Sequence, residues 1–197
     1  MSADHARQTA RGKVGYERKQ ARAIGEKGLL IVFTGPGKGK TTAAFGMALR
    51  AIGHAMRVGI VQFIKSAQDS AERTALSRFE EVEFHTMGAG FTWQTQDRER
   101  DMAAAGQAWA EAERMIGDPR YQLVILDELN PVLHYGYLDR ARVLEILGQH
   151  RADLHIVVTG RNAPADLVNL ADLVSEIRAV KHPYQDQGIK AQPGIEF

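Results

Sequence analysis

The sequence predicts an α/β domain with a mostly parallel central sheet of about six strands and helices on both faces, the arrangement of a P-loop nucleotide-binding domain. Two observations predict the sheet: strand-like and helix-like runs alternate from Leu29 onward, and several of the strand runs are almost continuously apolar. A third places a phosphate-binding turn at the end of the first strand, where "LLIVF" breaks into "TGPGKGKTT". Apolar runs such as "LLIVF", "LVIL" and "IVV" fit strands buried on both faces, as in a parallel sheet covered by helices.

In order, strands are expected at 29–33 (LLIVF), 57–63 (RVGIVQF), 81–87 (EVEFHTM), 122–128 (QLVILDE), 154–160 (LHIVVTG) and 173–180 (LVSEIRAV). Helices are expected between them, near 40–53, 70–79, 97–117, 138–150 and 163–171. At 197 residues one domain is the default, assigned here to 28–197. The preceding segment, 1–27, is polar and basic without an apolar face. It reads either as a solvated tail or as a helix that orders on a ligand.

Hydrophobic residues make up 44% and charged residues 25%, ordinary globular values that exclude a fibrous or disordered chain. A net charge of +1 gives no reason to expect nucleic acid as a partner. No apolar run approaches a membrane span and no secretory signal opens the chain, so the expectation is a soluble cytoplasmic protein with no membrane association. With no cysteine, disulfides, thiolate metal sites and thiol nucleophiles are excluded, and any metal must be held by oxygen or imidazole. Oxygen ligands favour magnesium or a similarly hard ion.

A strand, a glycine-rich turn and a helix opening on Lys-Thr-Thr form the context of a Walker A phosphate loop. Gly35, Gly37 and Gly39 let the backbone curl close to an anion, with amide N–H groups and the positive end of the following helix aimed at it. Lys40 adds a positive charge, Lys38 brings a second, and the hydroxyls of Thr41 and Thr42 follow, Thr41 being placed to ligate magnesium. The pattern is modified: where the first glycine of the usual spacing falls the chain has Thr34, and Gly35 sits one step late. At the end of the fourth predicted strand "LVILDE" delivers Asp127 and Glu128, carboxylates that can reach the metal directly or through water. Together these features predict binding of ATP or GTP with magnesium and leave the reaction open. Arg161, after the fifth strand, is a candidate for stabilising charge on a phosphate. In "MGAGFTWQTQDRERD" glycines flank Phe91 and Trp93, aromatics available either to pack on a flat ligand or to fill the core.

The motifs "FTGPGKGKTTAAFG", "VGIVQFIK", "GFTWQTQDRERD", "VILDELN", "VVTGRNAP" and "VKHPYQDQGIKAQPGIEF", in this order from about Gly28 to the C-terminus, resemble the ATP:corrinoid adenosyltransferases of the CobA/BtuR/CobO type. The resemblance implies that the phosphates are not where the chemistry occurs. A Co(I) corrinoid attacks the 5′-carbon of ATP, and inorganic triphosphate leaves in one piece. ATP lies in the loop in the reverse of the usual sense, with the ribose carbon turned to the corrinoid. By this resemblance Lys40 and Glu128 take the catalytic roles, with Lys40 and Lys38 stabilising the leaving triphosphate. Thr41 and Glu128 contact magnesium with Asp127 as an outer partner, and Phe91 and Trp93 line the lower face of the corrinoid. The same resemblance implies a lid role for segment 1–27, a reduced flavoprotein as electron donor and a homodimer.

Two departures from the family pattern stand out. Pro36 occupies a position where relatives commonly have asparagine, and it has no backbone N–H to offer a phosphate. "KSAQDSAERTAL", after the second strand, lacks the tryptophan and glycine expected there. From the phosphate loop and the acidic strand end alone, a P-loop ATPase or small-molecule kinase fits equally well. A nucleotide-sensing corrinoid carrier, binding both ligands without forming a bond, is a third reading.

Overall fold

The computed structural model describes Lys13 and residues 25–64, 71–87 and 97–195. Among them, six strands form one sheet: β1 Leu30–Thr34, β2 Val58–Gln62, β3 Val82–Thr86, β4 Leu123–Asp127, β5 His155–Thr159 and β6 Leu173–Glu176. Their order across the sheet is β3-β2-β4-β5-β1-β6, and every pairing is parallel. The helices are α1 Lys40–Ile52, α2 Ala71–Leu76, α3 Arg98–Gly117, α4 Leu129–His134, α5 Arg140–Gly148, α6 Ala165–Leu170 and α7 Pro183–Gln187. Parallel neighbours require crossover connections, and here the connecting helices supply them.

The central strands alternate their apolar side chains between two cores. Leu30, Val32, Val61, Val124, Leu126, Ile156 and Val158 face a core shared with α3, α4, α5 and α6. Ile31, Val58, Ile60, Leu123, Ile125 and Val157 face the other, with Ala44, Phe45, Ala48 and Ala51 of α1 and Leu76 of α2. Burying one such aliphatic side chain stabilises by about 1.5–3 kcal/mol, so a sheet covered on both faces secures its middle strands first. The edge strand β6 is the exception: Leu173 and Val174 remain substantially exposed.

Every predicted strand is present, and the differences have local causes. The sixth was expected to run to 180 but ends at Glu176. There the Ile177 amide donates to the Thr34 carbonyl, and the Ile177 carbonyl accepts from Gly37, so the turn after β1 ends the ladder. Helices α4 and α7 were not among the expected ones; they are short, and each carries a proline in its first turn. Pro131 is the third residue of α4 and Pro183 opens α7, positions whose N–H groups have no helical acceptor in any case. Among the described residues no helix is long and apolar enough to cross a membrane. Phe91, Trp93 and most of segment 1–27 lie outside the described residues.

Candidate functional site

The turn after β1 and the ends of β2, β4 and β5 meet at the C-terminal edge of the sheet, where open α/β sheets bind their ligands. Between Thr34 and α1 the chain passes through Gly35 at φ 99°, and a Cβ there would lie 2.5 Å from the Ile177 carbonyl oxygen. The loop is thus pressed against the chain leaving β6. Pro36 is exposed and carries no amide hydrogen, and the buried Gly37 donates its amide to Ile177 at 2.7 Å. From Pro36 onward, the donors left for a polyanion begin at Lys38. Gly39, in the left-handed region, ends the loop as the N-cap of α1, and no side chain caps the helix. The first helical bond is Ala43 N–H to Gly39 carbonyl, so the amides of Gly39, Lys40, Thr41 and Thr42 have no acceptor within the helix. With no acidic residue in that first turn, the helix end is set up for an anion.

The Lys40 ammonium folds back into the loop, donating to the carbonyls of Gly37 at 2.6 Å and Gly35 at 2.9 Å. Burial holds it below the usual lysine range. Glu128 and, more weakly, Asp127 push it back up, while Arg161 and Lys38 add to the lowering. Four residues singled out in the sequence therefore act electrostatically on a fifth, Lys40. Arg161 itself is exposed, as are Lys38 and Thr42.

Asp127, fully buried, is held by three donors. Its Oδ1 accepts from Thr41 at 2.8 Å and Thr159 at 2.7 Å, and its Oδ2 accepts from Gln62 Nε2 at 2.9 Å. Glu128 follows with φ 63° and ψ 29°, a left-handed conformation that costs a non-glycine residue about 1–3 kcal/mol. Its amide donates to Thr159 Oγ1 at 3.0 Å, and Asn130 Nδ2 ties the start of α4 to the Gly160 carbonyl at 2.8 Å. Gly160 is glycine for a steric reason. A Cβ there would come within 2.4 Å of Pro131 and 3.2 Å of the Glu128 carboxylate. The strained turn and the missing side chain together leave Glu128 room beside Lys40.

Lys40, Thr41, Asp127, Glu128 and the loop glycines therefore gather at one end of the sheet, with Arg161 at its rim. Gln62, Thr86 and Thr159 were missed, although each is the polar residue that closes a strand, Gln62 and Thr159 after apolar residues and Thr86 after an alternating run, in "IVQ", "VVT" and "FHT". Such a residue in a buried row needs a partner, and that signal was available.

Comparison with known proteins decides the family. The model for ATP:corrinoid adenosyltransferase BtuR/CobO/CobP matches residues 26–197. The chain belongs to this adenosyltransferase family. It is 49% identical to a corrinoid adenosyltransferase of Pseudomonas aeruginosa, over 98% of this chain and 95% of that protein. It is 46% identical to one from Escherichia coli K12, over 95% and 94%. With the corrinoid adenosyltransferase CobA of Salmonella typhimurium it shares 48% identity over 90% and 89%. Adenosyltransferases of this kind thus match nearly the whole chain.

Proposed function

We propose that the chain transfers the 5′-deoxyadenosyl group of ATP to the Co(I) centre of a corrinoid and releases triphosphate. The observation that carries this reading is the cradle at the start of α1, where uncapped amides, Lys40 and Lys38 converge on one spot, in a chain of the corrinoid adenosyltransferase family. The Co(I) electron pair forms the cobalt–carbon bond while the bond from the 5′-carbon to the triphosphate oxygen breaks, its electrons leaving with that oxygen. Co(I) is itself a strong nucleophile, so no protein base is required. What the protein must supply is alignment, together with stabilisation of the charge that grows on triphosphate. Lys40 provides that stabilisation, because a bound polyanion adds countercharge to a desolvated ammonium that Glu128 and Asp127 offset only in part.

Magnesium fits the donors present. Thr41, Glu128 and Asp127 offer only oxygen, the ligand set of a hard cation. The ion, when bound, neutralises phosphate charge. Thr41 and Glu128 would hold it, with Asp127 acting through Thr41. Phe91 and Trp93 are assigned to the lower face of the corrinoid, where an apolar wall removes the axial ligand and eases reduction of Co(II). For Trp93→Ala, corrinoid reduction is expected to suffer more than ATP binding, and equal losses in both would make it a core residue.

Segment 1–27 is read as a lid, the partners as a reduced flavoprotein and a second copy of the chain, the location as cytoplasmic, and the substrate as cob(I)yrinic acid a,c-diamide or cob(I)alamin. Leu173 and Val174 on the β6 edge and Val180 beyond it, all exposed, support a covering partner. The deciding experiment resolves the phosphorus products of ATP with and without a Co(I) corrinoid. Triphosphate appearing only with corrinoid supports the transfer. Phosphate or diphosphate appearing without it returns the chain to the ATPase or kinase reading.

A further inference from the structure

The C-terminal edge of the sheet carries a continuous polar row. Thr86 of β3 is in register with Gln62 of β2, and Gln62 with Asp127 of β4. Thr86 Oγ1 donates to Gln62 Oε1 at 3.3 Å, Gln62 Nε2 donates to Asp127 Oδ2, and Thr41 and Thr159 donate to Asp127 Oδ1. Gln62 is fully buried in a strand whose five residues are all buried. An apolar residue would serve packing there, because a buried amide costs stability unless its partners are present.

The orientation of the amide follows from chemistry. Its oxygen meets a hydroxyl and its nitrogen a carboxylate, and turning it over would set oxygen against oxygen. Fixed in this way, Gln62 holds Oδ2 while Thr41 and Thr159 hold Oδ1, and together they set the Asp127 carboxylate plane about its broad, two-fold torsion. The Thr41 hydroxyl has one proton, and that proton goes to Asp127. Its lone pairs are then left for the cation side of the phosphate loop.

We propose that Gln62 is a positioning residue for nucleotide-bound magnesium. Through Asp127 it sets the direction in which Thr41 presents its oxygen. The inference rests on the magnesium–ATP reading above and concerns an effect that a purely structural glutamine would not have. Loss of Gln62 should weaken the magnesium-dependent part of ATP binding while sparing the part carried by loop amides and Lys40.

The test is the dissociation constant of ATP, measured by calorimetry on the full chain in excess magnesium and again in EDTA. In Gln62→Met, similar in length and unable to donate, the tightening conferred by magnesium should shrink about tenfold, while affinity in EDTA stays within about threefold. Equal weakening in both conditions, or no change in either, overturns the proposal. Should Gln62→Met not fold, Thr86→Val decides by the same ratio, since it removes only the hydroxyl that orients the amide. It should show the same selective loss at smaller amplitude, and an unchanged ratio there overturns the proposal too. Failure of the adenosyl-transfer reading is separable: wild-type protein that releases no triphosphate with Co(I) corrinoid refutes that reading and leaves the magnesium ratio intact.

Discussion

Strands β3, β2 and β4 carry a carboxylate cluster at each end, and the two clusters are neutralised in different ways. Toward the N-terminal edge, Glu83 of β3 accepts from Tyr121, His85 and Arg114, with Arg57 at 3.5 Å. Arg114 also reaches Glu111 at 2.8 Å. Glu83, His85 and Glu111 lie close enough for a metal ion, their ligand atoms within 4.8 Å of one another. The Arg114 guanidinium, however, already bridges the two glutamates, and Arg57 adds a second cation to that cluster. At the C-terminal edge, Asp127 accepts from two hydroxyls and an amide, and Lys40 turns its ammonium to the loop carbonyls of Gly35 and Gly37. The first cluster is complete without a ligand. The second holds its carboxylate in place with neutral donors, an arrangement that suits the recruitment of an ionic ligand.

The comparison predicts its largest effect at Lys40. Lys40→Ala should lower adenosyl transfer about 100-fold or more, the scale on which a single preorganised charge-stabilising donor is felt. The melting temperature should not fall with it, because burial already disfavours the charged ammonium. Retained activity would remove the phosphate site from the start of α1. Loss of activity together with loss of folding would make Lys40 a structural residue like Arg114.

Glu83→Gln should do the reverse, costing about 1–2 kcal/mol of stability and leaving kcat and KM for ATP unchanged. Its pH signature has a definite sign. Burial pushes the Glu83 carboxyl up, but hydrogen bonds from Tyr121, His85 and Arg114 outweigh it and bring the pKa to about 2 from 4.5. A depressed carboxylate contributes its stability in full above the unfolded value and loses it as pH falls from about 4.5 toward 2. Chemical denaturation of wild type and Glu83→Gln should therefore diverge above pH 4.5 and converge toward pH 2. A constant gap at every pH would mean that packing, not charge, is what Glu83 supplies.

The same two clusters show how far the sequence could be read. The C-terminal end, with the candidate site, was legible because its parts are local: a strand, a glycine-rich turn and Lys-Thr-Thr within one stretch, and an Asp-Glu pair closing an apolar run. The rows linking strands were not, because the order β3-β2-β4-β5-β1-β6 places Gln62 beside both Thr86 and Asp127, and nothing in a single chain states that order. For the same reason the Glu83 cluster was invisible: it joins β3 to the last turn of α3 and to residues flanking β2 and β4. Helix α4 was not expected either: it is only six residues long, opens on Glu128 in the left-handed conformation and carries Pro131 in its first turn.

The smallest expected effect lies at the rim. Arg161 is exposed and acts on Lys40 at a distance, adding to the lowering of its pKa. A charge in that position is worth about 0–1 kcal/mol, so Arg161→Ala should raise the KM for ATP by up to about fivefold with kcat nearly unchanged. The Lys40 pKa should rise in the variant, since one of the cations that depress it is gone. The difference from wild type should also vanish at high salt, because the screening length contracts to about 3 Å at 1 M. An effect of about 100-fold that persists at high salt would mean that Arg161 touches the departing triphosphate and belongs with Lys40 in the cradle. The C-terminal cluster would then carry its own guanidinium, and the contrast with the Glu83 cluster would rest on when that cation is engaged, rather than on whether it is present.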